Sequence, residues 1–262
     1  MTTTCRSRSW MPAIALMASA AMTACTTVPA GSTSTERASA APILETSNGP
    51  VIGTRSEDGK VSIFRGVPYG ASTEGRRFQT ALSLERWTEP RDATQFGADC
   101  PQRPSGDVPV FRSWVNDLPQ SEDCLFVNVW TRGLSDGKKR PVMVWLHGGG
   151  YVTGSGSSRG YDGTRLAERG DVVVVTLNHR LNGFGYLYLA GVTDDPRYAD
   201  AGNLGSLDTV KALEWVRDNA AAFGGDPDNI TIFGESGGAA KVSTLLGMEQ
   251  ADGLFDKAIA QS

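Results

Sequence analysis

Histidine is almost missing from this chain: 262 residues contain two, His147 and His179. Cysteine is scarce too, with four at positions 5, 25, 100 and 124. That set is too sparse for a disulfide-built scaffold and too scattered for a zinc site. There is no basic excess. The formal charge is −4, which argues against a nucleic-acid binder. There is no Gly-X-Y period, which excludes collagen, and 40% hydrophobic against 21% charged residues excludes a disordered acidic tail. What is abundant is glycine. Its 31 residues are about 12% of the chain against a usual ~7%, so tight turns and close backbone approaches are expected. The composition fits a soluble globular body of one large or two small domains.

The first residues read as an address. Arg6 and Arg8 stand in an acid-free opening, followed by AIALMASAAM. A positive start and a short apolar stretch mark an export signal over 1–24. The stretch is too short to span a bilayer, which takes roughly 20 apolar residues. Met22-Thr23-Ala24-Cys25 resembles a bacterial lipobox, with Met22 where Leu is preferred, so Cys25 is read as a lipid anchor. Plain cleavage nearby and a retained N-terminal helix are the alternatives. Removing 1–24 leaves 23 basic and 29 acidic side chains, a charge of −6. Residues 25–41 are small and polar and read as a flexible tether, leaving 42–262 as the folded body. The expected location is exported: anchored in the periplasm or outer membrane, or secreted.

Within the body, two apolar runs flank Glu57-Asp58-Gly59, and the Asp-Gly step predicts a hairpin. Residues 82–120 read as long surface loop. CLFVNVWT alternates like a strand, while PVMVWLH and DVVVVTLN are continuous apolar runs that suit strands buried on both faces. A helix is expected from Asn203 to Gly224-Gly225, because Leu204, Leu207, Val210, Leu213 and Val216 recur at three-residue steps. NITIFG reads as a further strand and ESGGAAKVSTLLG as a further helix. Strands separated by helices imply an α/β fold with a mostly parallel sheet and helices on both faces. No internal repeat is visible.

The chemistry gathers at Gly234-Glu235-Ser236-Gly237-Gly238. This is G-x-S-x-G between a strand and a helix, the setting in which the motif becomes a nucleophile elbow. The turn is so sharp that positions 234 and 238 must lack side chains. The helix end behind Ser236 offers free N–H groups to a developing oxyanion. A Gly-rich turn with an ordinary serine is the bland alternative. Trp145-Leu146-His147-Gly148-Gly149-Gly150 supplies a second cluster, and its three glycines let the backbone approach the same oxygen. Gly149, Gly150 and Gly237 are the expected donors. Gly154-Ser155-Gly156 lacks the third glycine of a dinucleotide loop, so no cofactor is expected, and no metal.

Five blocks in order, RGVPYG, SEDCLFVNVW, PVMVWLHGGGYVTGSG, VVVVTLNHRLNGFGYL and the segment from NLGSLD to STLLG, resemble the type B carboxylesterases over roughly 43–262. That family includes cholinesterases and bacterial para-nitrobenzyl esterases. The resemblance implies an α/β-hydrolase fold and hydrolysis of small-molecule carboxylic esters through an acyl-enzyme on Ser236. It also implies a disulfide between Cys100, in Cys100-Pro101-Gln102, and Cys124, which fits an oxidising compartment. The alternative is two buried free thiols. Trp114 stands ten residues before Cys124, like the cholinesterase Trp that binds a quaternary ammonium, although a surface loop Trp explains it as well.

Three departures stand out. The family's Tyr in N-Y-R is His179 here, for which a structural role is expected. Its usual Ala after the serine is Gly237, a change expected to be mild because the donor is a backbone N–H. Most consequential, the family's triad runs Ser, acid, His, and no histidine follows Ser236. Only Glu249, Asp252 and Asp256 are acids beyond it. A serine hydroxyl needs an adjacent base, and His147, at the head of the glycine loop, is expected to be structural. The reading is therefore an esterase truncated after the elbow helix, lacking its acid and histidine. Its apolar edge near Lys257-Ala258-Ile259-Ala260 should be unpaired, and the chain alone inactive and poorly folded. The alternative is a catalytically inactive binding or adhesion relative, or a truncated lipoprotein.

Overall fold

The computed structural model describes residues 40–103, 118–134 and 136–262. The signal segment, Cys25, most of the tether and Trp114 lie outside the described residues.

Strands β1 (Ile43–Glu45) and β2 (Pro50–Ile52) pair antiparallel. Strands β3 (Thr54–Arg55) and β4 (Ser62–Pro68) form the expected hairpin, with Gly59 at φ 73° in its turn. A short β5 (Arg91–Asp92) joins β2 in a three-stranded sheet. The main sheet then takes β6 (Phe126–Thr131), β7 (Arg140–Leu146), β8 (Val173–Leu177), β9 (Gly225–Glu235) and β10 (Lys257–Gln261). Its order is β10-β9-β7-β8-β6-β4-β3. The helices are α1 (Thr164–Gly170), α2 (Asn182–Tyr186), α3 (Leu204–Asn219) and α4 (Gly237–Leu245).

The α/β class is as expected, but the sheet is less parallel than the sequence implied. The pairs β10–β9, β9–β7 and β7–β8 are parallel, whereas β8–β6, β6–β4 and β4–β3 are antiparallel. Parallel neighbours need a crossover element between them. Among the described residues helices follow only from β7 onward, and the strands before it pair antiparallel within the main sheet. The helices do cover both faces. Val173, Val175 and Leu177 pack with Val210 and Leu213 of α3 and Val242 and Leu245 of α4. Val174 points the other way, to Trp130, Ile63 and Ala167 of α1. This alternation buries all five residues of β8, which is why its sequence is a continuous apolar run.

Two element ends differ from expectation. Helix α3 stops at Asn219, not Gly224, because the chain loosens there into i→i−3 turns from Ala222 N to Asn219 O and from Gly224 N to Ala221 O. The elbow helix is also not the last element. Beyond it, β10 pairs parallel to β9, with Lys257 opposite Thr231 and Gln261 opposite Glu235. The edge expected near Lys257–Ala260 is thus hydrogen-bonded on one side, and all five residues of β10 are exposed.

Candidate active site

The site is assembled at the carboxyl ends of two neighbouring parallel strands. Leu146 of β7 and Gly234 of β9 are register partners, so His147-Gly148-Gly149-Gly150 and Glu235-Ser236 leave the sheet side by side. Crevices at such strand ends are where open α/β sheets bind their ligands.

Ser236 is held at φ 54°, ψ −120°, in the left-handed half of backbone space that side chains other than glycine rarely adopt. Its amide is fixed by donating to Gln261 O (2.8 Å). The flanking glycines have no room for side chains. A Cβ at 234 would lie 2.6 Å from Gly238 C and 2.7 Å from Leu146 O, and one at 238 would run into the Leu146 carbonyl. These contacts compress strand, elbow and helix into one tight turn. The glycine loop meets it: Gly149 (φ 94°) and Gly150 (φ 59°) both need glycine's freedom. A Cβ at Gly237 would sit 2.6 Å from Gly150 N and 3.6 Å from Gly149 N. The backbone nitrogens of 149 and 150 therefore crowd the residue that follows Ser236. The Gly237 departure is not mild in this chain, because Ala there would press on the loop.

Both histidines are buried, with rings stacked at 4.9 Å and 7°. His147 Nδ1 lies 2.8 Å from Gly148 O and His179 Nδ1 2.9 Å from Arg180 O. A carbonyl only accepts, so each Nδ1 carries the proton and each Nε2 is bare; neither Nε2 has a partner. Burial, reinforced by the nearby Lys241, pushes His147 down to about 3 and His179 well below its ordinary 6.5. Neither imidazole is hydrogen-bonded to Ser236. Of the acids after Ser236, Asp256 accepts from Ile230 N (2.8 Å), and Glu249 and Asp252 sit exposed around a short 3-10 turn.

Cys100 and Cys124 are joined by a disulfide with Cα atoms 5.0 Å apart. Beside it, Asp99 accepts from Ser155 Oγ at 2.5 Å, and Asn178 Oδ1 contacts the same hydroxyl at 3.1 Å and accepts from Gly156 N. Gly154-Ser155-Gly156 is thus a hydrogen-bonded brace, and Gly156 packs directly on the Leu177 backbone. Burial raises Asp99 to about 6. Sequence reasoning missed Asp99 and Lys241. Lys241 stands four residues after Gly237, on the helix face that abuts the glycine loop, and that spacing was the available signal.

Residues 40–262 match the carboxylesterase family. The chain belongs to that family. It is 47% identical over 222 residues to a para-nitrobenzyl esterase of Bacillus subtilis, covering 84% of this chain and 43% of that protein. It is 43% identical to a phenmedipham hydrolase of Pseudarthrobacter oxydans with the same coverage. Among solved structures, a carboxylesterase of Geobacillus stearothermophilus superposes with a TM-score of 0.74 at 48% identity, over 83% of this chain and 42% of that one. The fold is the α/β-hydrolase fold of these carboxylesterases. The chain spans less than half the length of each.

Proposed function

We propose that this carboxylesterase-family chain carries the nucleophile and oxyanion hole of a serine hydrolase for small-molecule carboxylic esters. The observation that carries the reading is the strained Ser236 elbow with Gly149 and Gly150 folded against Gly237. In this reading Ser236 Oγ attacks the ester carbonyl carbon and its proton passes to a base. The N–H groups of Gly149, Gly150 and Gly237 hold the alkoxide. Collapse breaks the bond to the alcohol, which leaves with the proton, and water then releases the acid from the acyl-enzyme. The base is neither His147 nor His179, since both are buried and neither Nε2 reaches a hydrogen-bond partner, Ser236 included. The base and its acid partner are proposed to come from outside these 262 residues. The names of the two relatives point to nitrobenzyl esters and phenmedipham as first substrates to try.

The test is organophosphate labelling of the enzyme encoded by the complete reading frame, followed by peptide mapping. The label is expected on Ser236, and Ser236→Ala is expected to lose turnover, keeping only the ~10³–10⁴-fold over water that an oxyanion hole and binding supply. A label elsewhere, or undiminished turnover in Ser236→Ala, overturns the reading. Export through residues 1–24 and lipid attachment at Cys25 are part of the same proposal. They are checked by metabolic labelling with a radioactive fatty acid, which Cys25→Ala should abolish.

A further inference from the structure

We propose that Lys241 is a positioning residue that holds the glycine loop against the nucleophile elbow. The inference rests on the reading of Gly149 and Gly150 as oxyanion donors. Lys241 lies in the second turn of α4 and is 3% exposed. Its Nζ donates to His147 O at 2.8 Å and lies 5.3 Å from the centre of the Tyr151 ring. Those two residues bracket Gly148-Gly149-Gly150, so one side chain grips the loop at both ends. The first turn of the same helix touches the same loop through Gly237. Positions 237 and 241 share a helix face, so nucleophile, backbone donors and lysine are fixed to one another through four residues of one helix.

Nothing else accounts for a lysine at this place. Among the described residues no carboxylate pairs with it. The titratable groups around it are His147 and His179, both neutral, and the Tyr151 ring. Burying an unpaired amine costs stability, and burial alone depresses its pKa to about 7. A residue present only for packing would be better apolar. The peptide group between His147 and Gly148 is what the lysine orients: fixing the His147 carbonyl fixes the plane from which the loop departs.

The test uses Lys241→Met, which keeps the shape and removes the donor, and Lys241→Gln, which keeps a neutral donor on a shorter arm. On the 262-residue chain the readout is hydrogen exchange at Val152, Thr153 and Asn182, whose amides bond to Gly149 O and Tyr151 O. In Lys241→Met these amides should exchange about 3- to 10-fold faster, the equivalent of one lost hydrogen bond. Amides of α3 should be unchanged and the melting temperature equal or higher. In the active enzyme kcat should fall by up to about 100-fold with KM nearly constant, as for a small misplacement of catalytic groups. Gln should lie between Met and wild type in both readouts. Unchanged loop exchange in Lys241→Met, a Gln variant no better than Met, or a lowered melting temperature with faster exchange everywhere would each overturn the proposal. The exchange readout needs no turnover, so failure of the esterase reading, seen as an active Ser236→Ala, remains distinguishable.

Discussion

The sharpest stability test is Asp208→Asn. Arg180, three residues beyond β8, and Asp208, inside α3, are 3% and 1% exposed. Asp208 Oδ2 accepts from Arg180 N (3.1 Å) and Nε (2.7 Å), Oδ1 accepts from Nη2 (2.6 Å), and Nη1 donates to Gln79 O (2.7 Å). Asparagine keeps the shape but turns one acceptor into a donor aimed at N–H groups and leaves a buried guanidinium without its counter-charge. Breaking a buried pair in this way costs about 3–5 kcal/mol. For a domain this size that is a fall of roughly 6–20 °C in melting temperature. The assay is urea unfolding followed by tryptophan fluorescence, where the midpoint should drop with the slope unchanged. The companion Arg180→Met/Asp208→Leu should recover most of the loss, because an apolar pair of similar volume is often neutral or better. A single mutant within about 1 kcal/mol of wild type would refute the reasoning, since surface pairs are worth that little and buried ones are not. So would a double mutant as unstable as the single.

Other outcomes follow from the same geometry. On the proposed esterase reading, Gly237→Ala should lower kcat by about 100-fold with little change in KM, because its Cβ displaces Gly150; an unchanged kcat would show that the loop yields freely. Asp99, raised on folding from 3.8 to about 6, binds its proton more tightly folded than unfolded. Its contribution is therefore full below pH 4 and is lost as pH rises through 6. Asp99→Asn should abolish that part of the pH dependence in chemical denaturation, and an identical slope in the variant would contradict it. Opening the Cys100–Cys124 link by Cys100→Ser/Cys124→Ser should cost about 3 kcal/mol, the chain-entropy value for a loop of this length. Calorimetry of the double variant measures it, and a melting temperature equal to wild type would count against a formed bridge.

The legible parts of the sequence were those whose requirements are local. The apolar run Val173–Leu177 suited a strand buried on both faces, and Gly234 and Gly238, set between a strand and a helix, marked a turn too tight for Cβ atoms. Strand direction was not legible in the same way. It depends on what connects β3, β4 and β6 to their neighbours, and no property of FVNVWT alone says that its partner β8 runs the other way. Arg180 and Asp208 are 28 positions apart, and each reads as an ordinary surface charge until α3 brings them together. Lys241 was hidden for the opposite reason. In AAKVSTLL a lysine looks like the solvent face of a helix; its four-residue offset from Gly237 was the one hint otherwise, and the contact of α4 with the end of β7 puts that face inside.

Several features that cost stability gather in one place. His147 Nε2 and His179 Nε2 are bare, Lys241 is buried beside them, and Ser236 holds a backbone conformation that costs of order 1–3 kcal/mol. Each would be removed by an ordinary stabilising substitution. They persist because the buried apolar residues of β7, β8, β9 and α4 around them, among them Val142, Val144, Val175, Ile232 and Val242, pack into one core, so the sheet supplies the stability that the elbow and loop consume. Stabilising changes at Lys241 or His179 should therefore leave the fold firmer. Their effect on the crevice then reports which of these groups is there for chemistry and which for packing.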